Sequence, residues 1–288
     1  MKDMCKNTIK DREFWGERPL FASHGLRLEN VVIHEGESAV KECSDIEASN
    51  CRFDGRYPFW HVSGMTIDGC VFGDDARAAL WYSEHLKMTA CEVFAPKVLR
   101  EMTDVSLSDV TFHNAVETLW YCNDVTLQNV SAVNADYIMM HCNGVSIRGL
   151  ALDGKYSFQY SKNIEIRNSV LNTKDAFWET ENITVVDSVI KGEYLGWHSK
   201  NLRLVNCKIS GTQLLCYADN LVLENCTFAE DADLAFEYSS VQATVNGSIA
   251  SVKNPLTGHI VADGIGEVII DSFAKQPADC VIEIRGGA

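Results

Sequence analysis

The stretches Ile164-Glu165-Ile166-Arg167-Asn168-Ser169-Val170-Leu171, Ile183-Thr184-Val185-Val186-Asp187-Ser188-Val189-Ile190 and Leu202-Arg203-Leu204-Val205-Asn206-Cys207-Lys208-Ile209 are one phrase written three times, 19 residues apart. The phrase reads apolar, polar, apolar, variable, Asn or Asp, small, variable, apolar. Upstream it begins again at Leu26, Ile46, Met65, Leu86, Val105, Val125 and Val145, and downstream at Leu221. Eleven clear copies follow one another at spacings of 19 to 21 residues, with a degenerate copy near Gln242. A fixed period of this length is the mark of a solenoid.

Alternation with period two makes the first half of each phrase a strand. The fifth position, Asn30, Asn50, Asp109, Asn129, Asn168, Asp187, Asn206 or Asn225, marks a corner, because these residues tolerate left-handed backbone and bond their own turns. Stacked, they would form a ladder of amide hydrogen bonds. A small residue and then a larger one follow, as in Cys51-Arg52-Phe53 and Cys70-Val71-Phe72, which reads as a second short strand. Tyr57-Pro58-Phe59-Trp60-His61, Ala79-Leu80-Trp81-Tyr82 and Ala176-Phe177-Trp178-Glu179 read as a third. Three strands and three corners in one repeat make one coil. No helical period fits, and the leucine-rich phrase is absent. The expected fold is all-β: a single-stranded right-handed parallel β-helix of about 11–12 coils. Residues 1–25 would cap its start, 26–250 form the regular coils, and 251–288 form irregular coils and a closing cap, all in one domain, 1–288.

The bulk numbers narrow the partners. A formal net charge of −15 argues against nucleic acid and against an anionic membrane surface. No apolar run approaches the ~20 residues that span a bilayer. The eleven cysteines form no Cys-x-x-Cys pair and follow the repeat instead. They are expected to be reduced, buried, small hydrophobes. With no secretory signal at Met1-Lys2-Asp3-Met4-Cys5-Lys6, a cytoplasmic location is expected. No metal and no cofactor is expected.

Stacking makes equivalent residues of successive coils neighbours about 4.8 Å apart, so columns can be read along the repeat. Six residues before each phrase stands an apolar column that includes Phe59, Leu80, Leu119 and Phe177: core. Five before stand Trp60, Trp81, Arg100, Trp120, Trp178 and Trp197, which include five of the six tryptophans. Four before stand Glu42, His61, Tyr82, Glu101, Tyr121, His141, Tyr160, Glu179, His198, Tyr217 and Tyr238, every one ionisable. Strict alternation turns the tryptophans outward, as a platform for sugar rings, and the ionisable column inward. A bent strand would exchange the two. On the preceding turn, Arg56, Arg77 and Lys97 lie on consecutive coils beside Arg100 and would make a local positive patch. A carbohydrate-acting site is read at Tyr160, Glu179 and His198, with Asp175, Lys174, Trp178 and Trp197 beside them. There Glu179 serves as acid or base, His198 as its partner and Asp175 as a second carboxyl.

The phrases Gly16-Glu17-Arg18-Pro19-Leu20-Phe21, Tyr57-Pro58-Phe59-Trp60-His61, Arg77-Ala78-Ala79-Leu80-Trp81-Tyr82-Ser83, Gly192-Glu193-Tyr194-Leu195-Gly196-Trp197 and Asp233-Leu234-Ala235-Phe236-Glu237-Tyr238-Ser239 are specific. Together they resemble the uncharacterised bacterial family called domain of unknown function 3737, over nearly the whole chain. The resemblance implies a pectin-lyase-like β-helix and carries no established activity. Pectate lyases and polygalacturonases share that wider fold, but their active-site motifs are missing; Asn172-Thr173-Lys174-Asp175 is only a faint echo of one. Three readings follow: a polysaccharide lyase, hydrolase or epimerase; a non-catalytic carbohydrate-binding protein; or an interaction solenoid without a small ligand. An oligo- or polysaccharide is the partner the first two require. The oligomeric state is not readable from the repeat.

Overall fold

Backbone hydrogen bonding between equivalent residues of successive coils builds the structure. In the computed structural model, which describes residues 7–275 and 279–285, Ile46 pairs with Leu26 and with Met65. Likewise Ile183 pairs with Ile164 and with Leu202. All these pairings are parallel and in register. The chain forms two compact units, Met1–Asn143 and Gly144–Ala288. Both are parallel β-solenoid, about 14 turns in all. Among the described residues there is no helix, and so none long and apolar enough to cross a membrane.

In the first unit, coil geometry begins before residue 26. Asn7–Lys10 pairs with His24–Glu29, and Glu13–Glu17 pairs with Val32–Glu37. The segment expected to cap the solenoid is therefore a coil itself. Its apolar pattern is broken: Trp15 is 63% exposed and stacks on His34. In the second unit, coils continue past residue 250, where Ser240–Val245, Thr257–Ala262 and Asp279–Ile284 stack in turn. The coil length departs from 19 there, so the repeat fades from the sequence while the stacking persists. These added coils account for the excess over the 11–12 expected.

The first two strands of each coil stand as read, but the third does not. Residues eight and four before each phrase have left-handed backbone, and from Leu80 onward the residue six before has it too: Tyr57 and His61 at φ 52° and 53°, Ala78, Leu80 and Tyr82 at 56°, 59° and 54°, and Asp175, Phe177 and Glu179 at 53°, 60° and 51°. The segment is thus a corner, tied to its neighbours in places by single bridges such as Trp60 to Trp81 and Trp81 to Arg100. Non-glycine residues in this region cost on the order of 1 kcal/mol each. Burial offsets that cost. Phe59, Leu80, Leu99, Phe158, Phe177, Leu215 and Phe236 are all 0% exposed, and burying each such side chain contributes about 1.5–3 kcal/mol. Phe158 stacks on Phe177 with ring centroids 5.0 Å apart.

Side-chain ladders reinforce the corners. The expected one appears where Asn bonds Asp: Asn30 Nδ2 to Asp11 Oδ1 at 2.9 Å, Asn129 to Asp109 at 3.1 Å and Asn206 to Asp187 at 2.8 Å. A second ladder, unforeseen, runs through Asn163, Asn182, Asn201 and Asn220 in the second unit, with amide bonds of 3.0, 2.8 and 2.8 Å. It sits directly before the phrase, where only a 19-residue column of asparagines would have disclosed it. The described cysteines are free thiols; all but Cys280 are buried, and Cys5 lies outside the described residues. At Gly192 and Gly211, on successive coils, a Cβ would overlap the carbonyl oxygens of Thr173 and Gly192 respectively. Phe177→Ala opens a cavity in the corner core and should cost about 3–5 kcal/mol, read as a fall in the urea midpoint at unchanged slope.

Candidate functional site

The left-handed corners decide which side chains face water. A left-handed residue follows the tryptophan position in every coil, and from Leu80 onward another precedes it, so alternation fails there. The ionisable column points out and the tryptophan column lies half-buried under it. In the first unit Glu42, His61, Tyr82, Glu101, Tyr121 and His141 are exposed; in the second, Tyr160, Glu179 and His198 are. Trp60, Trp81, Trp120, Trp178 and Trp197 are each partly covered. Three of them spend the indole N–H on a backbone carbonyl: Trp81 on Lys97 at 2.7 Å, Trp120 on Tyr137 at 2.5 Å and Trp197 on Gln213 at 3.0 Å. The buried Trp178 Nε1 has no partner among the described residues.

Their faces are occupied as well. Trp60 lies 5.4 Å from Trp81 between centroids. The Arg100 guanidinium sits between Trp81 and Trp120, 4.5 and 4.6 Å from their ring centres. Such cation–π contacts contribute about 0.5–2 kcal/mol each. Arg100 is thus built into the column, with Glu117 3.7 Å away. Arg56 pairs with Glu37, and Lys97 with Glu117 at 3.0 Å. Of the four basic residues expected to form a patch, only Arg77 stands exposed with no ion pair among the described residues. Lys174 is bonded to Glu193 at 2.9 Å and lies over the Tyr194 ring at 5.0 Å.

Two shallow grooves follow the exposed column, one in each unit. The first, about 520 Å³, is lined by Glu42, Ser44, His61, Ser63, Tyr82, Glu84 and Glu101 among others. His61 Nδ1 lies 3.0 Å from Glu42 Oε1, and the His61 ring packs edge-on against Tyr82 at 5.6 Å. The second, about 460 Å³, is lined by Lys162, Glu179, Glu181, His198, Lys200, Tyr217 and Asp219 among others. His198 stacks on Tyr217 at 5.0 Å. No hydrogen bond joins His198 to Glu179 among the described residues. Burial, then the Glu237 carboxylate, push the Tyr217 hydroxyl up.

Of the residues read as a site, Glu179 and His198 therefore share a groove. Tyr160, 39% exposed, stands one coil before Glu179 and outside the groove lining. Asp175 is 5% exposed and turned into the corner. Burial raises its carboxyl above the usual 3.8; Lys174 pulls the other way. Sequence reasoning placed Glu42, His61, Tyr82 and Glu101 in the ionisable column without selecting them. The signal was there: Glu42 and His61 fall one coil apart as a donor and an acceptor. Among the described residues no group of three or more His, Cys, Asp or Glu is arranged to hold a metal ion.

The family model described as "Protein of unknown function (DUF3737)" matches residues 7–283. No curated protein matches the chain. Similar solved structures include PfbA, a surface adhesin of Streptococcus pneumoniae, with 10% identity, 93% of this chain and 86% of that one covered, and a TM-score of 0.47. Another is a mutant tailspike protein of E. coli bacteriophage HK620 in complex with a hexasaccharide, with 10% identity, coverage of 98% and 72%, and a TM-score of 0.35. A third is the A-module of the Azotobacter vinelandii mannuronan C-5 epimerase AlgE4, with 12% identity, coverage of 97% and 87%, and a TM-score of 0.27. At these identities the likeness is one of fold.

The raised Asp175 carboxyl is a folding cost, because the fold disfavours its charged form. Well below pH 3.8 the group is neutral in both states and the cost is absent; it grows as pH rises from 3.8 toward the folded value and is complete above it. Asp175→Asn should therefore melt higher than the parent at pH 7, with the difference closing below pH 4. Equal melting temperatures at pH 7 would overturn this assignment.

Proposed function

The chain belongs to this family of unknown function, and we propose that it binds an oligo- or polysaccharide along the exposed Tyr/His/Glu columns of its units. One observation carries the reading. At two other corners of the coil the left-handed positions are filled mostly by Asn, Asp and Gly: Asn30, Asn50, Gly69 and Asp109 at one, Asp45, Gly64, Asp104 and Asn163 at the other. Those residues adopt this backbone at least cost. In the ionisable column the same backbone is held by Glu42, His61, Tyr82, Glu101, Tyr121, Glu179 and His198. Glu and Tyr are poor left-handed residues, and all of these side chains are exposed. The choice is explained by what these side chains offer to a ligand.

They offer hydroxyl, imidazole and carboxylate groups, repeated once per coil at about 4.8 Å. That spacing is close to the length of one sugar unit, so a glycan lying along the column would meet one rung per residue. Tyr82 and Tyr121, 39% and 47% exposed, add amphipathic ring surface suited to a hydroxylated ligand. Trp60 and Trp81 pack against the Tyr82 ring, 5.4 and 6.1 Å between centroids.

A second reading, as a polysaccharide lyase, hydrolase or epimerase, is favoured by the Glu42–His61 contact, a ready acid–base couple in a groove. Binding and turnover separate experimentally. An oligosaccharide screen read by tryptophan fluorescence, with product analysis on each hit, should give binding without product. Tyr82→Ala should weaken it about tenfold. A product that disappears in His61→Asn would instead establish the enzyme. No binding by any glycan would reject both.

A further inference from the structure

We infer that the groove of the first unit selects a cationic glycan, one carrying free amino groups such as an oligomer of glucosamine. The inference rests on the carbohydrate reading above and adds the charge of the ligand. The groove lining holds three carboxylates, Glu42, Glu84 and Glu101, and neither Lys nor Arg. Its one basic side chain, His61, is engaged by Glu42 at 3.0 Å. Glu84 accepts only the Ser63 hydroxyl, at 2.9 Å, and Glu101 has no ion pair among the described residues. Elsewhere on this unit the fold pairs its charges between coils: Lys10 with Glu29, Arg27 with Glu47, Lys97 with Glu117. Among the described residues none of the three groove carboxylates is paired with a Lys or Arg.

The remaining groups fit an ammonium. The Tyr82 ring lies 5.4 Å from Trp60 and 5.6 Å from His61, giving an electron-rich aromatic wall between the carboxylates. Ammonium groups are attracted to such faces. Glu42 and Glu101 stand three coils apart, with His61 and Tyr82 between them, so the negative charge is spread along the groove. It does not converge on a point, and no metal-holding group forms. Distributed negative charge suits a ligand with one positive charge per repeat unit. An oligomer of uronic acid would meet repulsion along the same path.

The second unit supplies the contrast. Its groove has the same Glu, His and Tyr rungs, yet Lys162 and Lys200 stand among Glu179, Glu181 and Asp219. Lys162 bonds Glu181 at 2.7 Å and holds that carboxyl below its usual value. Charge there is largely balanced, so the preference for cations should map to the first unit.

The test is calorimetric titration of the full chain at low salt with tetramers of glucosamine, N-acetylglucosamine and galacturonic acid. The glucosamine tetramer is expected to bind about tenfold tighter than its N-acetylated form, and the galacturonate weakest. Glu42→Gln/Glu101→Gln should abolish the preference, whereas the remote Glu165→Gln/Glu267→Gln should keep it; circular dichroism checks that both stay folded. If the neutral tetramer binds as well as the cationic one, the charge inference falls and the carbohydrate reading stands. If tetralysine binds as tightly as the glucosamine tetramer, attraction is by charge alone and the amino-sugar assignment falls. If no glycan binds, the carbohydrate reading itself falls.

Discussion

The constraint on which everything else depends is the backbone bond between one coil and the next. At the corner this bond changes direction. Phe177 and Leu215, six before their phrases, donate to the preceding coil, to Ser157 at 3.0 Å and Leu195 at 2.7 Å. Glu179 and Tyr217, two residues further on, donate to the following coil, to Trp197 at 3.0 Å and Glu237 at 2.7 Å. A chain that must bond backward and then forward within three residues has to turn. The left-handed backbone is how it turns, and the amides of Phe177, Glu179, Leu215 and Tyr217 stay paired with a neighbouring coil through it. Buried amides left unpaired would cost more than the strain does.

This single requirement explains why the repeat was legible and the orientation was not. The 19-residue period survives because each core position, Ile164, Ile183 and Leu202 for example, must sit on its counterpart. The Asn/Asp corner survives because a left-handed residue is cheapest there. Both are one-residue signals. Orientation at the third side is different. Trp178 and Glu179 alternate in sequence just as Ile164 and Glu165 do, and period two reads both pairs as strand. Only the sign of φ at Phe177 and Glu179 separates the cases, and no residue type announces it: Phe and Glu are poor left-handed residues. The coils past residue 250 were illegible for another reason: the stacked positions Val241, Gly258 and Cys280 lie 17 and then 22 residues apart, off the 19-residue period.

The candidate site was partly legible on the same logic. That Glu179 and His198 fall on successive coils followed from the period; that they share a groove followed from the column. Asp175 misled because, four residues from Glu179, it shares a loop with it in sequence, while the intervening corner turns it inward. Arg56, Lys97 and Arg100 read as a patch because sequence shows where cations lie and not which carboxylates lie one coil away. Glu37 and Glu117 are the missing half of that reading.

Stacking also bears on how chemistry is distributed over such a fold. A solenoid has no deep cleft of its own, since every coil covers its neighbours equally. Recognition must then come from repetition: weak rungs, each held in register by the backbone, acting on a ligand that repeats as well. The rungs are preorganised at no further cost, because the bonds that fold the coil also aim the side chain. It follows that one rung matters little alone and that charge summed over several rungs matters more. In the first unit the groove gathers carboxylates with no Lys or Arg in its lining; in the second it intersperses lysines. That difference involves no change of backbone, only of which residue stands at a fixed height on the same scaffold. Changing residues on fixed rungs is therefore how such a scaffold would acquire selectivity.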